Sequence, residues 1–185
     1  MTSLVVGLGG STSAESFSNV LLHRCLGYAA ERGARTVVFD GARLARLPIF
    51  TPEAAVTDEA RELADAVRAA DAVVVATPGY HGGMSGLVKN ALDHLELLRD
   101  EPRPYLDGRA VGVIVAAAGW QACGTTLVSV RSAIHALRGW PTPLGVTANS
   151  VEQAVDDVRV DGALELLAGQ LLDFAGWQAA ARADR

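Results

Sequence analysis

The stretch Ala72-Val73-Val74-Val75-Ala76-Thr77-Pro78-Gly79-Tyr80-His81-Gly82-Gly83-Met84-Ser85-Gly86-Leu87-Val88-Lys89-Asn90-Ala91-Leu92-Asp93 changes character twice. Its first five residues are apolar without alternation, as in a strand covered on both faces. A proline and three nearby glycines follow, which make a rigid turn with exposed backbone amides. Over residues 85–98 the apolar side chains Leu87, Val88, Ala91, Leu92 and Leu95 return at helical spacing. Strand, loop and helix in one run are half of a βαβ unit.

The same alternation extends to both ends of the chain. Apolar runs at residues 4–8, 36–39 and 110–117, with a weaker one at 144–147, predict four more strands. Amphipathic patterns at residues 16–31, 57–70, 125–137 and 163–177 predict the remaining helices. Five β-α units of this length call for right-handed crossovers and a doubly wound parallel sheet with helices on both faces. No Pro/Ser/Gly-rich linker divides the chain, and residues 99–108 form one polar loop, so residues 1–185 are expected to be one domain. In such sheets ligands bind outside the carboxyl ends of the strands, which singles out the loops after strands one, three and four.

Composition narrows the function. Of 185 residues, 50% are hydrophobic and 20% charged, enough for a buried core and far from the profile of a disordered chain. Sixteen Lys+Arg against 21 Asp+Glu give a net charge of -5, without the basic footprint that a nucleic-acid backbone requires. Nineteen glycines against four Phe, three Trp and three Tyr fit an aliphatic α/β core rather than an aromatic β-sandwich. Cys25 and Cys123 form neither a disulfide framework nor a zinc-spaced cluster, which implies a reducing compartment. No basic leader precedes the first apolar run, and no segment reaches the ~18 uncharged apolar residues of a membrane span. The expectation is a soluble, cytoplasmic protein bound to neither membrane nor nucleic acid.

The first loop, Gly9-Gly10-Ser11-Thr12-Ser13-Ala14-Glu15-Ser16-Phe17-Ser18, combines glycines, hydroxyls and a helix N-terminus. These are the parts of a phosphate cradle, and equally of a Ser-rich turn with an ordinary N-cap. No GK[ST] follows, and Thr12 occupies the third position of a would-be dinucleotide fingerprint.

The stretch from Thr77 resembles the T-P-x-Y-x-x-x-x-x-G-x-x-K-N-x-x-D signature of the NAD(P)H-dependent FMN reductase family of flavodoxin-like flavoproteins. Other landmarks agree: G-S-x-x-x-x-S-F-S from Gly10 to Ser18, Asp40 with Leu47-Pro48, Leu106-x-Gly108-Arg109, Ala118-Gly119-Trp120 with Gly124, and Leu137-Arg138-Gly139. The resemblance covers about residues 3–150. It implies a flavodoxin-like three-layer sandwich with a five-stranded parallel sheet in the order 2-1-3-4-5. It implies that Ser11, Ser13, Ser16, Phe17 and Ser18 hold the FMN phosphate, by side chain or backbone. Pro78, Gly79, Tyr80 and His81 would border the isoalloxazine, and Ala118, Gly119 and Trp120 its pyrimidine end. The family often carries Arg where this chain has Ser13, and Asn where it has His81. Loss of that Arg removes a charge-assisted phosphate partner and implies a looser hold on FMN.

The activity implied is hydride transfer from NADPH or NADH to FMN, with reduced flavin passing to a partner monooxygenase or a second substrate. Because the flavin performs the redox step, no catalytic side chain is required of the protein. One alternative keeps FMN tightly bound and reduces quinones, azo dyes, nitro compounds or chromate. An alternative of another class is a flavodoxin-type electron carrier; such carriers tend to be strongly acidic and to use a T-x-T-G-x-T-like phosphate loop. A nicotinamide-binding protein without flavin would use Asp40 for a ribose. Family members are commonly homodimers or homotetramers. Tyr80 either flanks the flavin or anchors its loop, and His81 either meets the ring or is incidental. Lys89 and Asp93 read as a helical ion pair, Asn90 as packing the helix against a loop, and His94 as a subunit-contact or surface residue. Cys123 falls in the third loop as a free thiol, Cys25 lies on an apolar helix face, and no metal site is expected from His23 or His135.

Overall fold

The computed structural model describes residues 2–183. Six strands form one parallel sheet: β1 (Leu4–Gly9), β2 (Arg35–Phe39), β3 (Ala72–Pro78), β4 (Ala110–Ala117), β5 (Trp140–Pro141) and β6 (Val146–Asn149). The order is β2-β1-β3-β4-β5, with β6 pairing further along β4, so the flavodoxin-like order 2-1-3-4-5 is found with one strand more than expected. The fifth lane is split because Pro141 and Pro143 have no N–H to donate and interrupt the ladder where it runs alongside β4.

Strand periodicity sorts the core onto two faces. Val6, Leu8, Val73, Val75, Val113 and Val115 face α3 (Asp58–Ala69), α4 (Gly86–Asp93) and α5 (Trp120–Ala136). Val5, Val74, Ala76 and Ile114 face α1 (Phe17–Glu31) and α6 (Val158–Ala183). Every residue of β4 is buried, which is why it reads as a continuous apolar run.

Four helices differ from expectation, α6 by running past both ends of the 163–177 pattern. A short α2 (Gly41–Leu44) follows β2, capped by the Asp40 carboxylate on the Arg43 amide at 2.8 Å. The helix after β3 ends at Asp93 and continues only as a 3-10 turn, His94–Leu98. α5 begins at Trp120, five residues before the periodicity starts, since Gly119 supplies an extended N-cap and Gly124 is tolerated on its exposed surface.

Candidate functional site

The carboxyl ends of β1, β3 and β4 are tied to one another by backbone bonds. Gly10 N donates to Ala76 O, Gly79 N to Ala116 O and Ser150 N to Ala117 O, at 2.8, 2.8 and 2.9 Å. Between them lies a cleft of about 300 Å3. The first loop gives it Ser11, Ser16, Phe17 and Ser18; the second gives Pro78, Gly79 and Tyr80; the third gives Ala116, Ala117 and Ala118, with Ser150 beyond β6. A shallower hollow of about 370 Å3 adjoins it along Ser11 and Tyr80.

The first loop is shaped by a residue that sequence reasoning passed over. Asn19, buried in the first turn of α1, donates from Nδ2 to Ser11 O at 2.9 Å and to Ser13 O at 2.8 Å. Ser16 Oγ caps the helix by accepting from Asn19 N. Only the third amide is used by that cap, so the Phe17 and Ser18 N–H groups, at the helix's positive end, are the ones available to an anion. Ser13 does not join the cleft: it is exposed, and its carbonyl is taken by Asn19 and by Ser16 N. Its departure from the family's Arg therefore falls at a turn residue.

The second loop closes on itself. Tyr80 and Gly83 exchange two backbone bonds of 3.0 Å, and the residues between them, His81 and Gly82, have φ of 53° and 82°. Positive φ at both central residues is the type I′ arrangement, which favours Asn and Gly. The Gly79 and Tyr80 amides are thus consumed within the protein, and those of His81 and Gly82 are the loop's outward donors. His81 stands exposed at the turn's tip, outside the cleft lining, because the left-handed turn carries it away. Thr77 Oγ1 then accepts from Ser85 N, and Ser85 Oγ caps α4 through Val88 N. His81→Asn or His81→Gly is expected to keep the melting temperature and the FMN dependence within about twofold of the parent. His81→Val is expected to cost ~1–2 kcal/mol, because a branched side chain resists the left-handed region. Thermal melts and FMN titrations check this; loss of turnover in His81→Asn with an unchanged melt would instead give the imidazole a chemical role.

Past Ala118 the chain leaves the cleft. Gly119 and Trp120 are not in its lining, since Trp120 already belongs to α5 and its indole Nε1 donates to Glu152 Oε2 at 2.8 Å. Glu152 also accepts from Asn149 Nδ2 at 2.9 Å, so the indole is fixed to the loop after β6. Cys123 is within α5 rather than a loop; it is buried, its Sγ lies 3.4 Å from Ala148 O, and burial pushes its thiol pKa up, which keeps it protonated. Burial pushes the Cys25 thiol up to about 12.

Lys89 pairs with Asp93 at 2.7 Å, as the spacing suggested. His94 is no surface residue: it is buried beside Phe50, with Nε2 2.9 Å from Pro48 O. Asn90 accepts from Phe50 N and donates to Pro48 O, so both residues fasten the segment after α2. His23 and His135 are exposed, and no cluster with metal-binding composition occurs among the described residues.

The cleft's chemistry fits FMN. Hydroxyls and helix amides face the place where a phosphate would lie, while Pro78, the Gly79 backbone and residues 116–118 offer a flat, largely apolar wall. A Cβ on Gly79 would stand 3.0 Å from Ala117 Cβ and Thr126 Oγ1, so this wall is already closely packed from behind.

Comparison with known proteins agrees. An FMN-dependent NADPH-azoreductase of Staphylococcus haemolyticus is 31% identical over 106 residues, 57% of this chain and 51% of the relative. A quinone reductase of Escherichia coli is 35% identical over 118 residues, 60% of this chain and 61% of the relative. The chain thus spans between half and two thirds of the length of these curated relatives. A flavodoxin, WrbA-like protein from Agrobacterium tumefaciens superposes with a TM-score of 0.68 at 16% identity, over 96% of this chain and 99% of that one, a likeness of fold. The family model described as NADPH-dependent FMN reductase matches residues 3–153, and the chain belongs to that family.

Proposed function

We propose that this chain is a single-domain NAD(P)H-dependent FMN reductase, in which NADPH or NADH gives hydride to FMN and reduced flavin passes to a partner monooxygenase or a second substrate. The observation that carries this reading is the convergence of Ser11, Ser16, Phe17 and Ser18 with Pro78, Gly79, Tyr80 and Ala118 around one cleft. When bound, FMN supplies the hydride chemistry. Ser11, Ser16 and Ser18 offer hydroxyls to its phosphate, and the Phe17 and Ser18 amides add the helix-terminal field. Tyr80 borders both hollows, so it divides the flavin's berth from the space open to nicotinamide or acceptor.

No Lys or Arg lines the cleft among the described residues. The phosphate is then held by hydroxyl and amide donors without an opposing cation or a bidentate guanidinium, which favours FMN as an exchangeable substrate. A second reading, tightly bound FMN serving a quinone or azo compound, is supported by the names of the two relatives. NADPH oxidation followed by absorbance, with and without added FMN, separates the two. Turnover that requires added FMN supports the reductase. A yellow protein that turns over only with a quinone or azo dye supports the second reading, and one idle with every acceptor overturns both in favour of an electron carrier. Sedimentation of the same preparation tests the homodimer or homotetramer that the family leads us to expect.

A further inference from the structure

The opposite end of the sheet carries a second concavity. Trp140, at the start of β5, is shared by two contiguous hollows. One, of about 250 Å3, is walled by Pro143, Phe174 and Trp177. The other, of about 410 Å3, is bordered by Arg103, Gly108 and Arg182. The Trp140 and Phe174 rings pack with centroids 5.6 Å apart, yet Trp140 remains 56% and Trp177 71% exposed. Neighbouring indoles left that open mark a surface that binds something.

The second hollow is cationic. Arg103 donates to Asp107 O and Gly108 O at 3.3 and 3.2 Å, and Arg182 reaches Gly108 O at 3.5 Å. Arg109 lies buried behind them and shares Asp107 O at 3.1 Å. The hydrogen bonds of all three guanidiniums run to main-chain carbonyls, and none to a carboxylate among the described residues. The nearby Asp71 is occupied in accepting from Leu4 N. Burial, then repulsion from Arg182, lowers the Arg103 pKa; burial, then Arg103 and Arg182, pushes Arg109 down to about 10. Three guanidiniums thus crowd beside an aromatic wall against two nearby carboxylates, Asp71 and Asp107, which leaves an excess of positive charge among the described residues.

We propose that this concavity binds a small amphipathic anion, an aromatic carboxylate whose ring lies against Trp140 and Trp177 and whose charge pairs with Arg103 and Arg182. The planar guanidinium fork matches a carboxylate in two-point contact. Asp173 borders the aromatic hollow with no arginine beside it, whereas the other hollow sets Arg103 and Arg182 against Asp107, which directs the carboxylate to the arginine end. Ala110, beside this site, and residues 116–117, beside the FMN cleft, lie at opposite ends of β4, roughly 20 Å apart. The two sites do not compete, and this one stands whether or not the cleft binds flavin.

The test is calorimetric titration of the full chain with 2-naphthoate in saturating FMN, beside 2-naphthalenemethanol and acetate as ring-only and charge-only controls. Saturable naphthoate binding about tenfold or more tighter than either control is expected. Trp177→Ala and Arg182→Gln, both on the exposed side of α6, are each expected to weaken it about tenfold with an unchanged melt; Arg103→Gln removes the other head-group partner independently. Naphthoate binding no tighter than the neutral alcohol overturns the proposal, as does full affinity in both α6 variants. So does a Trp177→Ala protein that sediments as a smaller species than the parent, since the indole would then be a subunit contact.

Discussion

Replacing Gly41 with alanine is expected to raise the FMN concentration for half-maximal NADPH oxidation about tenfold or more and to lower the melting temperature. A Cβ at this position would overlap Ser11 O and Ser11 C and stand 2.7 Å from Thr12 N. All three are backbone atoms, so no side-chain rotation relieves the contact. Withdrawing α2 is resisted by the Asp40 cap and by Leu44, fully buried at its end. Withdrawing the first loop strains the two hydrogen bonds by which Asn19 holds Ser11 and Ser13, and it moves Ser11 in the cleft. Overpacking of this kind costs ~1–3 kcal/mol, and ~1.4 kcal/mol of it expressed in binding is a factor of ten. Gly27→Ala is the matched control: it sits in α1 with nothing within 4 Å of its Cβ, and is expected to gain up to ~1 kcal/mol. FMN titration and thermal melts of both variants decide the matter. An unaltered FMN dependence in Gly41→Ala, in a protein that melts lower, would remove the first loop from the phosphate site.

Gly41 also shows where the sequence stops being readable. Strands β1, β3 and β4 were legible because each is a run of six to eight mostly apolar residues covered on both faces, whereas β5 and β6, two and four residues long, leave only the weak run at 144–147. The three loops followed from topology, since the carboxyl ends of a parallel sheet meet on one side. What escaped depends on pairings distant in sequence. Gly41 meets Ser11 across thirty positions, His94 meets Pro48, and neither partner alters the local pattern of the other. Asn19 was within reach: an amide three residues after a capping Ser can turn back onto the loop that precedes it. Trp120 reads as loop because the helical pattern begins only at residue 125, while the first turns of α5 bury just Cys123 and Thr126 and carry no aliphatic stripe. The resemblance places Ser13, His81, Gly119 and Trp120 beside FMN by position in a motif, but whether such a residue lines the cleft is set by turn geometry, which the motif does not encode.

Truncating Arg109 to alanine is expected to destabilise the protein by ~3–5 kcal/mol, because several main-chain acceptors lose a charged donor at once. Each ~1 kcal/mol moves the melting temperature of a chain this size by ~2–4 °C. The guanidinium is 1% exposed and donates to four carbonyls: Ala70 O, Tyr105 O, Asp107 O and Arg68 O, the last at 2.7 Å. Those carbonyls belong to the end of α3 and to the loop before β4, so a single side chain staples the entries of β3 and β4 together. Without it Ala70 O, Arg68 O and Tyr105 O lose their side-chain donor while Asp107 O keeps Arg103, and each unsatisfied group carries a desolvation penalty of ~1–3 kcal/mol. Arg109→Lys is expected to recover only part of the loss, because an ammonium cannot span acceptors that the planar fork reaches at once. The Leu106-x-Gly108-Arg109 landmark, which lies far from the cleft, is then explained by architecture: it closes the end of the sheet from which β4 departs. Thermal melts of the three proteins order the outcomes. Arg109→Lys melting with the parent would assign the position to charge alone. Arg109→Ala melting with the parent would mean that water replaces the guanidinium at all four carbonyls, and that the staple contributes nothing to the fold.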